Sequence, residues 1–433
     1  MPFPQNFTVT AMTPEDKRAV YEFALWAFPS TQSLEDFLRQ TQPFPSERSV
    51  VVRDPNQEIA AFHTSYAFTQ FNVPGATLPT SGLSWVGVHP QHRRKGLLRA
   101  IIERHFADCV ERNEAISVLF AAEPGIYGRF GYGRAAYDVR CRIPRGATQR
   151  PLIEAPAGDG AELTVRIELF NPDQHIPIIE VLHARAGHSV NGTGLNRPGW
   201  ATREADELRT RLHTVAPPPN TREATRIVLI LRDGEPVGYT KFHRELNWEN
   251  TGPNGHVATS EVVALDPAAS WKLWSVITEF DLTGYTDSFM LPIDDPIVTR
   301  LENNRSITMH HVDNVWARII DLKTALEGRQ YACDVEVVLE VTDTLIESNA
   351  GRWKLIASAF DGPSGSRTPT VERTDETPDI TLGIRDLGAV YLGGTSLSSL
   401  ASAGLVHAVN PRALATASTA FGWPHAPMSS WVF

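Results

Sequence analysis

A basic segment with one glycine, Arg93–Gly96, stands between a short apolar run and a helical pattern. The apolar run, Leu83–Val88, stops at Pro90, and apolar residues then recur every three or four positions from Leu97 to Val110. This order predicts a strand, a phosphate-binding loop and a helix. The N-terminus of a helix offers N–H groups and partial positive charge to a phosphate. A glycine lets the backbone approach that phosphate, and arginines add fork-shaped donors.

Two common phosphate loops are excluded, because neither G-x-G-x-x-G nor G-x-x-x-x-G-K-[ST] occurs in this segment. The segment resembles the coenzyme A loop of the GCN5-related N-acetyltransferases, [R/Q]-x-x-G-x-[G/A], with Arg93, Gly96 and Leu98 at its three fixed places. Leu98 departs from the last place of that motif. For this segment taken alone, a basic helix start on a solvated surface is the alternative.

A second signature follows another apolar strand, Ile116–Phe120. The stretch Tyr127–Tyr132 resembles the Y-x-x-x-G-[FY] pattern that closes the acetyltransferase site. The fuller string GIYGRFGYG, joined to RRKGLLR, resembles the Eis (enhanced intracellular survival) family, which acetylates aminoglycosides at several amines. The end of the chain, Trp431–Phe433, fits this resemblance, since that family ends on a phenylalanine whose free carboxylate is catalytic.

The resemblance implies a set of residues that bind acetyl-CoA. The strand residues pair with the pantetheine arm and offer an N–H to the thioester, the loop residues hold the pyrophosphate, and the last two line the thiol end. They are Val86, Gly87, Val88, Arg94, Lys95, Gly96, Leu97, Leu98, Arg99, Ala122 and Glu123.

Two residues are the candidates for catalysis, Tyr127 and Phe433. A phenol with a pKa near ~10 stays protonated at neutral pH and can donate to a departing thiolate. The α-carboxylate of Phe433 has a reference pKa of roughly 3.3–3.7, and burial beside Trp431 would raise it toward that of a useful base. The alternatives are a packed aromatic at Tyr127 and a frayed tail at Phe433. Trp85 is either a wall of the acceptor pocket or an ordinary core residue.

Composition narrows the classes of function. With 40 Lys and Arg against 50 Asp and Glu the formal charge is −10, which disfavours nucleic acid and is compatible with a cationic substrate. Three scattered cysteines and the histidine spacings predict neither disulfides nor a metal site. The absence of a signal-peptide pattern and of an apolar run of roughly 18 residues predicts a cytoplasmic protein without a membrane span. Export by a non-classical route stays open.

At 433 residues the chain is long enough for several domains. The predicted fold class is α/β with mixed sheets, in two tandem acetyltransferase-type domains (1–150 and 151–310) and a third domain (311–433), with a linker at 151–160. The second repeats the first, but Ala268–Lys272 lacks the glycine and the arginine pair. It is therefore predicted to bind no coenzyme; chance similarity of two α/β segments is the alternative. The third resembles a sterol carrier protein and is interpreted as a scaffold that delivers the C-terminus. Within it, residues 361–379 are predicted as a loop, and Leu387–Gly394 is predicted to introduce an apolar helix through Ala403.

The resulting expectation is an acetyl-CoA-dependent N-acetyltransferase that acts on cationic amines such as aminoglycosides, at several positions. No Cys or Ser nucleophile signature is present, so direct transfer in a ternary complex is expected. The resemblance also implies a homohexamer of two trimers. Two alternatives stay open: an acyltransferase for a peptide or protein amine, as in N-myristoyltransferases, and a non-catalytic lipid-binding or interaction protein.

Overall fold

The computed structural model describes residues 4, 6–28, 33–39, 44–153, 162–203, 222–362 and 367–433. The helices of these ranges are α1 (Lys17–Ala27), α2 (Leu34–Arg39), α3 (Leu97–Glu111), α4 (Pro124–Tyr127), α5 (Pro172–His188), α6 (Pro267–Ile277), α7 (Pro296–Arg300), α8 (Leu322–Glu327), α9 (Ile384–Val390), α10 (Leu397–Ser402) and α11 (Pro411–Phe421). Within the described residues, no helix is both long and apolar enough to cross a membrane.

The strands, numbered along the chain, are β1 (Thr8–Ala11), β2 (Ser49–Arg53), β3 (Ile59–Val73), β4 (Ala76–Val88), β5 (Ile116–Phe120), β6 (Gly133–Arg134), β7 (Tyr137–Pro144), β8 (Leu163–Leu169), β9 (Arg226–Arg232), β10 (Glu235–Glu245), β11 (Trp248–Glu249), β12 (Gly252–Pro253), β13 (Gly255–Ala264), β14 (Thr283–Pro292), β15 (Thr308–Asp313), β16 (Val315–Ile319), β17 (Val335–Thr342), β18 (Gly351–Ala357), β19 (Thr370–Arg373), β20 (Ile380–Gly383) and β21 (Val406–Ala408). Three large mixed sheets result, so the predicted fold class is confirmed.

The first two sheets repeat one plan. Their strand orders are β1-β2-β3-β4-β5-β16-β6 and β15-β7-β14-β13-β10-β9-β8. Each contains an antiparallel hairpin, β2–β3 or β9–β10, followed by a strand, a crossover helix and a parallel partner strand. The parallel pairs are β4–β5 around α3 and β13–β14 around α6, because a parallel connection needs a crossover of this length. The internal repeat expected from sequence is confirmed.

Two strands cross the boundaries predicted at residues 150 and 310. β7 lies before residue 150 but pairs with β14 and β15 in the second sheet. β16 lies after residue 310 but pairs with β5 and β6 in the first sheet. The two sheets therefore exchange strands, and neither is made from one continuous stretch of chain. The predicted linker falls largely outside the described residues.

Helix α3 shows how the sequence pattern becomes structure. Its residues Leu97, Ile101, Ile102, Phe106 and Cys109 are buried against the first sheet, as the spacing predicts. Val110, assigned to the same face, is instead 57% exposed. The apolar stripe is thus narrower than predicted: Cys109 is buried in the same turn, and Val110, one position further round the helix, lies outside the stripe.

The third sheet, β19-β18-β17-β20-β21, carries helices α9 to α11. One prediction in this region was wrong. The segment 361–379, predicted as a loop, contains β19, which pairs with β18 and completes the sheet edge. The segment Leu387–Gly394 lies partly within α9, and helix α10 follows it with Ala403 as its C-cap, as predicted.

Candidate active site

The first sheet opens between β4 and β5. These strands pair in parallel only from Thr80–Gly82 with Ile116–Val118. Beyond that point β4 pairs with β3, and β5 pairs with β16. The divergence leaves a wedge-shaped cleft in which Val86–Val88 has no strand partner on the β5 side among the described strands. A bulge in the β3–β4 ladder, with Trp85 at φ 54°, turns this end of β4.

A cavity of about 830 Å³ occupies this cleft. The residues predicted to bind the coenzyme line it, with the exception of Lys95. The lining members of that set are Val86, Gly87, Val88, Arg94, Gly96, Leu97, Leu98, Arg99, Ala122 and Glu123. Lys95 instead lies with its Nζ 3.1 Å from Nδ1 of His92, which itself lines the cavity.

One end of the cavity is formed by the N-terminus of α3. Gly96 is the N-cap residue at φ +84°, a conformation that L side chains rarely adopt. No described side chain caps this helix, so its first N–H groups face the cavity edge formed by Leu97, Leu98 and Arg99. Arg93 and Arg94 line the same end. Uncapped N–H groups beside guanidinium groups form a site for an anion.

The other end of the cavity carries Tyr127, at the C-terminus of α4. Burial, and to a smaller degree Glu123, raises the pKa of Tyr127 to about 12. The phenol is therefore protonated at neutral pH. Its ring meets that of Tyr132 edge to face, 6.0 Å between centroids. The hydroxyl of Tyr132 in turn lies 2.8 Å from Ser117 Oγ, which fixes the orientation of the second ring.

The C-terminus is docked at the base of the cleft. Phe433 is 3% exposed, and its ring centroid lies 4.9 Å from that of Phe68 and 5.2 Å from that of Phe120. An added Cβ on Gly82 would lie 3.2 Å from the Phe433 ring. The frayed-tail alternative is thereby excluded. Phe433 is not among the described residues that line the cavity itself; it lies where β4 and β5 begin to separate.

Trp85 packs between aromatic rings. Its centroid is 5.1 Å from that of Phe44 and 5.5 Å from that of Phe28. Phe28 lines the cavity, whereas Trp85 does not. Of the two interpretations of Trp85, the packing favours a core residue.

Some lining residues were missed by sequence reasoning. Ala27 and Phe28 come from the end of α1, and Thr344 and Leu345 come from the third region of the chain. Asp343 holds the latter loop: its Oδ1 accepts from the N–H groups of Leu345 and Ile346, each at 3.1 Å. No motif marks these positions, because they enter the site only through tertiary contact.

Asp343 also joins the third region to the first sheet. Its two oxygens accept from Nη2 of Arg318, on β16, at 2.8 and 2.7 Å. Both side chains are fully buried. Such a pair is costly to break, since the surviving charge is left without a partner.

The divergent parallel pair, the anion-binding helix N-terminus and the buried tyrosine define a GCN5-related N-acetyltransferase. Residues 8–135 and 197–319 each match a family model described as an acetyltransferase (GNAT) domain, and residues 322–430 match a sterol carrier protein domain. The structure contains two domains of the first kind and one of the second.

Relatives narrow the class. The chain is 36% identical over 386 residues to an uncharacterized N-acetyltransferase of Streptomyces avermitilis, covering 88% of each chain. It is 30% identical over 424 residues to N-acetyltransferase Eis of Mycobacterium tuberculosis, covering 96% of each. The crystal structure of Eis1 from Mycobacterium abscessus matches with a TM-score of 0.77 at 25% identity, over 99% of this chain and 100% of that one. The chain belongs to the Eis family of N-acetyltransferases.

Proposed function

We propose that this enzyme transfers acetyl groups from acetyl-CoA to the primary amines of cationic acceptors such as aminoglycosides, at more than one position. The observation that carries the proposal is the single cavity of about 830 Å³ that joins an anion-binding helix end to a buried, protonated tyrosine. Its size suits a long, flexible donor with room for an acceptor beside it.

The residues present fit the donor substrate. Gly96 keeps a Cβ out of the approach to the helix N-terminus, where the pyrophosphate would accept from backbone N–H groups. Arg93 and Arg94 would add charge-assisted hydrogen bonds. The free backbone edge of Val86–Val88 would pair with the amides of the pantetheine arm, as a further strand pairs with a sheet.

Tyr127 is proposed as the general acid. Transfer forms an N–C bond and breaks the C–S bond of the thioester, and the departing thiolate needs a proton. A phenol whose pKa is raised to about 12 by burial is protonated at neutral pH and has that proton to donate. The thiolate that departs beside it is the proposed acceptor.

The α-carboxylate of Phe433 is proposed as the general base. It takes a proton from the acceptor ammonium, so that the neutral amine can attack the thioester carbon. The ring of Phe433 is held among those of Phe68, Phe120 and Trp431, which limits the motion of the terminus that carries the carboxylate.

Direct transfer in a ternary complex is proposed, with no acetyl-enzyme. None of the three cysteines is among the described residues that line the cavity. Burial, with Glu114 as a second cause, raises the pKa of the Cys109 thiol to about 12. Burial likewise raises that of Cys141 to about 12, with a contribution from Asp295. Neither provides a thiolate nucleophile at neutral pH.

The test measures CoA-thiol release from acetyl-CoA with aminoglycosides and with simple polyamines, followed by mass spectrometry of the products. Products with two or more acetyl groups are expected. Turnover confined to a peptide amine would overturn the aminoglycoside assignment and keep the transferase. A stable acetyl-enzyme, seen as a mass increase of the intact chain, would contradict direct transfer.

The base is tested by changing the end of the chain. Protein ligation can replace the terminal acid of Phe433 by an amide, and the same ligation with the acid terminus is the matched control. We expect the amide to lower kcat by about 10²–10⁴-fold, the usual contribution of a general base, with acetyl-CoA affinity unchanged. Equal kcat for amide and acid would remove Phe433 from the mechanism.

A homohexamer of two trimers in the cytoplasm completes the proposal and rests on the resemblance to the Eis family. Apolar side chains on β8 and α5, among them Ile167, Leu169 and Val181, are exposed in the single chain, as expected where subunits meet. Analytical ultracentrifugation at several concentrations tests the hexamer. A stable monomer would contradict it.

A further inference from the structure

The second acetyltransferase-type domain has a cleft of the same construction as the first. Its strands β13 and β14 pair in parallel only as far as Thr259 with Ser288. Beyond that point β13 pairs with β10, and β14 pairs with β7. The cavity left in this cleft measures about 50 Å³, too little for a coenzyme arm.

The chain's own C-terminal segment fills this second cleft. Met428 and Ser430 line the small cavity, together with Arg197 and Trp200. The backbone of the segment is held at several points. Met428 N–H donates to Pro198 O at 2.9 Å. Ser429 exchanges two hydrogen bonds with the Asn314 side chain at 2.9 and 3.1 Å.

A buried carboxylate at the floor of the cleft binds the segment directly. Ser430 Oγ donates to Oε1 of Glu261 at 2.7 Å. Arg203 donates to the same oxygen at 2.6 Å, and the Tyr239 hydroxyl donates to Oε2 at 2.6 Å. Burial alone would raise the pKa of Glu261, but Arg203, His183 and the Tyr239 hydrogen bond outweigh it and hold the value at about 2. Glu261 is thus an anion at any working pH.

His183 completes the cluster as a neutral donor. Its Nε2 lies 2.8 Å from Ser430 Oγ. Because the one hydroxyl proton of Ser430 goes to Glu261, the histidine must supply the proton of the second bond. Burial, and then the charge of Arg203, lowers the pKa of His183 to about 3. Ser430 is therefore held from two sides, donating to Glu261 and accepting from His183.

We infer that the cleft of the second domain anchors the C-terminal segment of the chain, and that Glu261 acts through Ser430 as a positioning residue for the Phe433 carboxylate. The inference rests on the proposed role of Phe433 as the base. The observation behind it does not depend on that role. The cleft between the diverging strands is open in the first domain, whereas residues 428–430 occupy the corresponding cleft of the second domain.

The segment between anchor and carboxylate is short and stiffened. Only two residues separate Ser430 from Phe433, so their Cα atoms are at most about 11 Å apart. Trp431 lies within it, its Nε1 donating to Ala201 O at 2.8 Å and its ring under the Arg203 guanidinium at 5.2 Å. Its ring also meets that of Phe433, 5.7 Å between centroids. A shift at Ser430 is therefore transmitted to the terminus.

The experiment compares Glu261→Gln and Ser430→Ala with the unchanged enzyme. Glu261→Gln keeps the shape of the side chain and removes its charge. Ser430→Ala leaves the Glu261–Arg203 pair intact and is the variant to use if Glu261→Gln does not fold. Glu245→Gln, a half-exposed carboxylate on β10 outside the cleft, is the matched control. Thermal unfolding of each variant monitors folding.

Two readouts separate positioning from general stability. The first is release of Phe433 from the folded enzyme by a carboxypeptidase specific for aromatic termini, followed by intact mass. We expect Glu261→Gln to speed release by about tenfold or more, the equivalent of one charge-assisted hydrogen bond. The second is the split between kcat and acetyl-CoA affinity: kcat should fall by as much as about 100-fold, with affinity unchanged. Ser430→Ala should show the same pattern with smaller changes, and Glu245→Gln neither change.

Failure of this inference and failure of the proposed base give different results. If amidation of Phe433 lowers kcat but both cleft variants keep normal kcat and normal resistance to the carboxypeptidase, the anchor is wrong and the base stands. If amidation has no effect while the cleft variants release Phe433 quickly, the base is wrong and the anchoring of the segment stands. A fall in kcat with equal loss of coenzyme affinity would contradict positioning.

Discussion

The two acetyltransferase-type domains share a strand order and differ at one helix end. In the first, α3 starts at Gly96 with no described side-chain cap. In the second, α6 starts after Asp266, whose Oδ1 accepts from the N–H groups of Ala268 and Ala269 at 3.0 and 2.9 Å. The second helix therefore satisfies its N-terminus with its own carboxylate, and an approaching phosphate would meet a negative charge.

The difference shows that a fold keeps its framework while a few residues decide its use. The first cleft is open, at about 830 Å³, and the second is reduced to about 50 Å³ by the C-terminal segment. Loss of the glycine and arginines alone accounts for the expected loss of coenzyme binding. Residues 428–430 occupy the second cleft, so the second domain uses the same strand framework to hold a segment of its own chain.

The largest expected effect contrasts a tyrosine of each domain. Tyr127→Phe should lower kcat by about 10²–10⁴-fold, because removal of a general acid has that range of effect. Acetyl-CoA affinity, measured by calorimetry, should stay unchanged. Tyr285→Phe, on β14 of the second domain and stacked on His256, is the matched control and should keep the kcat of the unchanged enzyme. Equal kcat for both variants would contradict the assignment of Tyr127.

The next effect concerns the buried Arg318–Asp343 pair, beside the Thr344–Leu345 wall of the first cleft. Asp343→Asn should lower the free energy of unfolding by about 3–5 kcal/mol, since Arg318 would be left charged and buried. Asp287→Asn removes a two-bond pair with Arg142 on the surface of the second sheet and should cost about 0–1 kcal/mol. Urea unfolding measures both values. If the two variants lost similar free energies of unfolding, the buried Arg318–Asp343 pair would stabilise the fold no more than the surface pair does.

Lowering the pH should destabilise both domains by the same cause. His63, in the first sheet, has its pKa lowered to about 3, by burial and then by Arg112 and Arg104; burial acts likewise on His183 in the second domain. Between pH 6.5 and pH 3 the unfolded chain therefore binds protons that the folded chain does not. The stability present above pH 6.5 falls as pH falls, by about 1.4 kcal/mol per pH unit for each histidine.

Urea unfolding at pH 7, 6 and 5 tests this dependence. His63→Asn and His183→Asn should each flatten it by the share of one histidine. His188→Asn changes an exposed ring at the end of α5 and should leave it unaltered. A dependence that is identical in all three variants would contradict the prediction.

The smallest expected effect comes from a comparison of two glycines with positive φ, Gly96 in the proposed phosphate loop and Gly404 far from it. Gly96→Ala places a Cβ at φ +84° on the backbone that the phosphate approaches and should weaken acetyl-CoA binding by about tenfold. Gly404→Ala, at φ +73° with no atom within 4 Å of the new Cβ, carries similar backbone strain far from the cleft. Calorimetry should show normal coenzyme affinity for the Gly404 variant.

Short-range patterns predicted the local structure of the first two domains well. The hairpins, the crossover helices α3 and α6, and the loop ending at Gly96 follow from periodicity and from the special properties of glycine and proline. The same patterns missed β19 and placed Val110 on the buried face, because whether an element meets a sheet edge depends on distant partners. Strand exchange by β7 and β16 has no signal in either segment.

The sequence by itself determined which groups are available: an anion-binding loop with Gly96, a tyrosine in a glycine-rich turn, an aromatic C-terminus, and a second domain without the loop chemistry. These depend on residue type and on spacing within a few positions. Only the tertiary structure decided which cleft is open, that Leu345 forms a wall of it, and that Glu261 binds Ser430. Such contacts join residues more than a hundred positions apart, and they form because buried polar groups must find partners wherever the packed chain brings them.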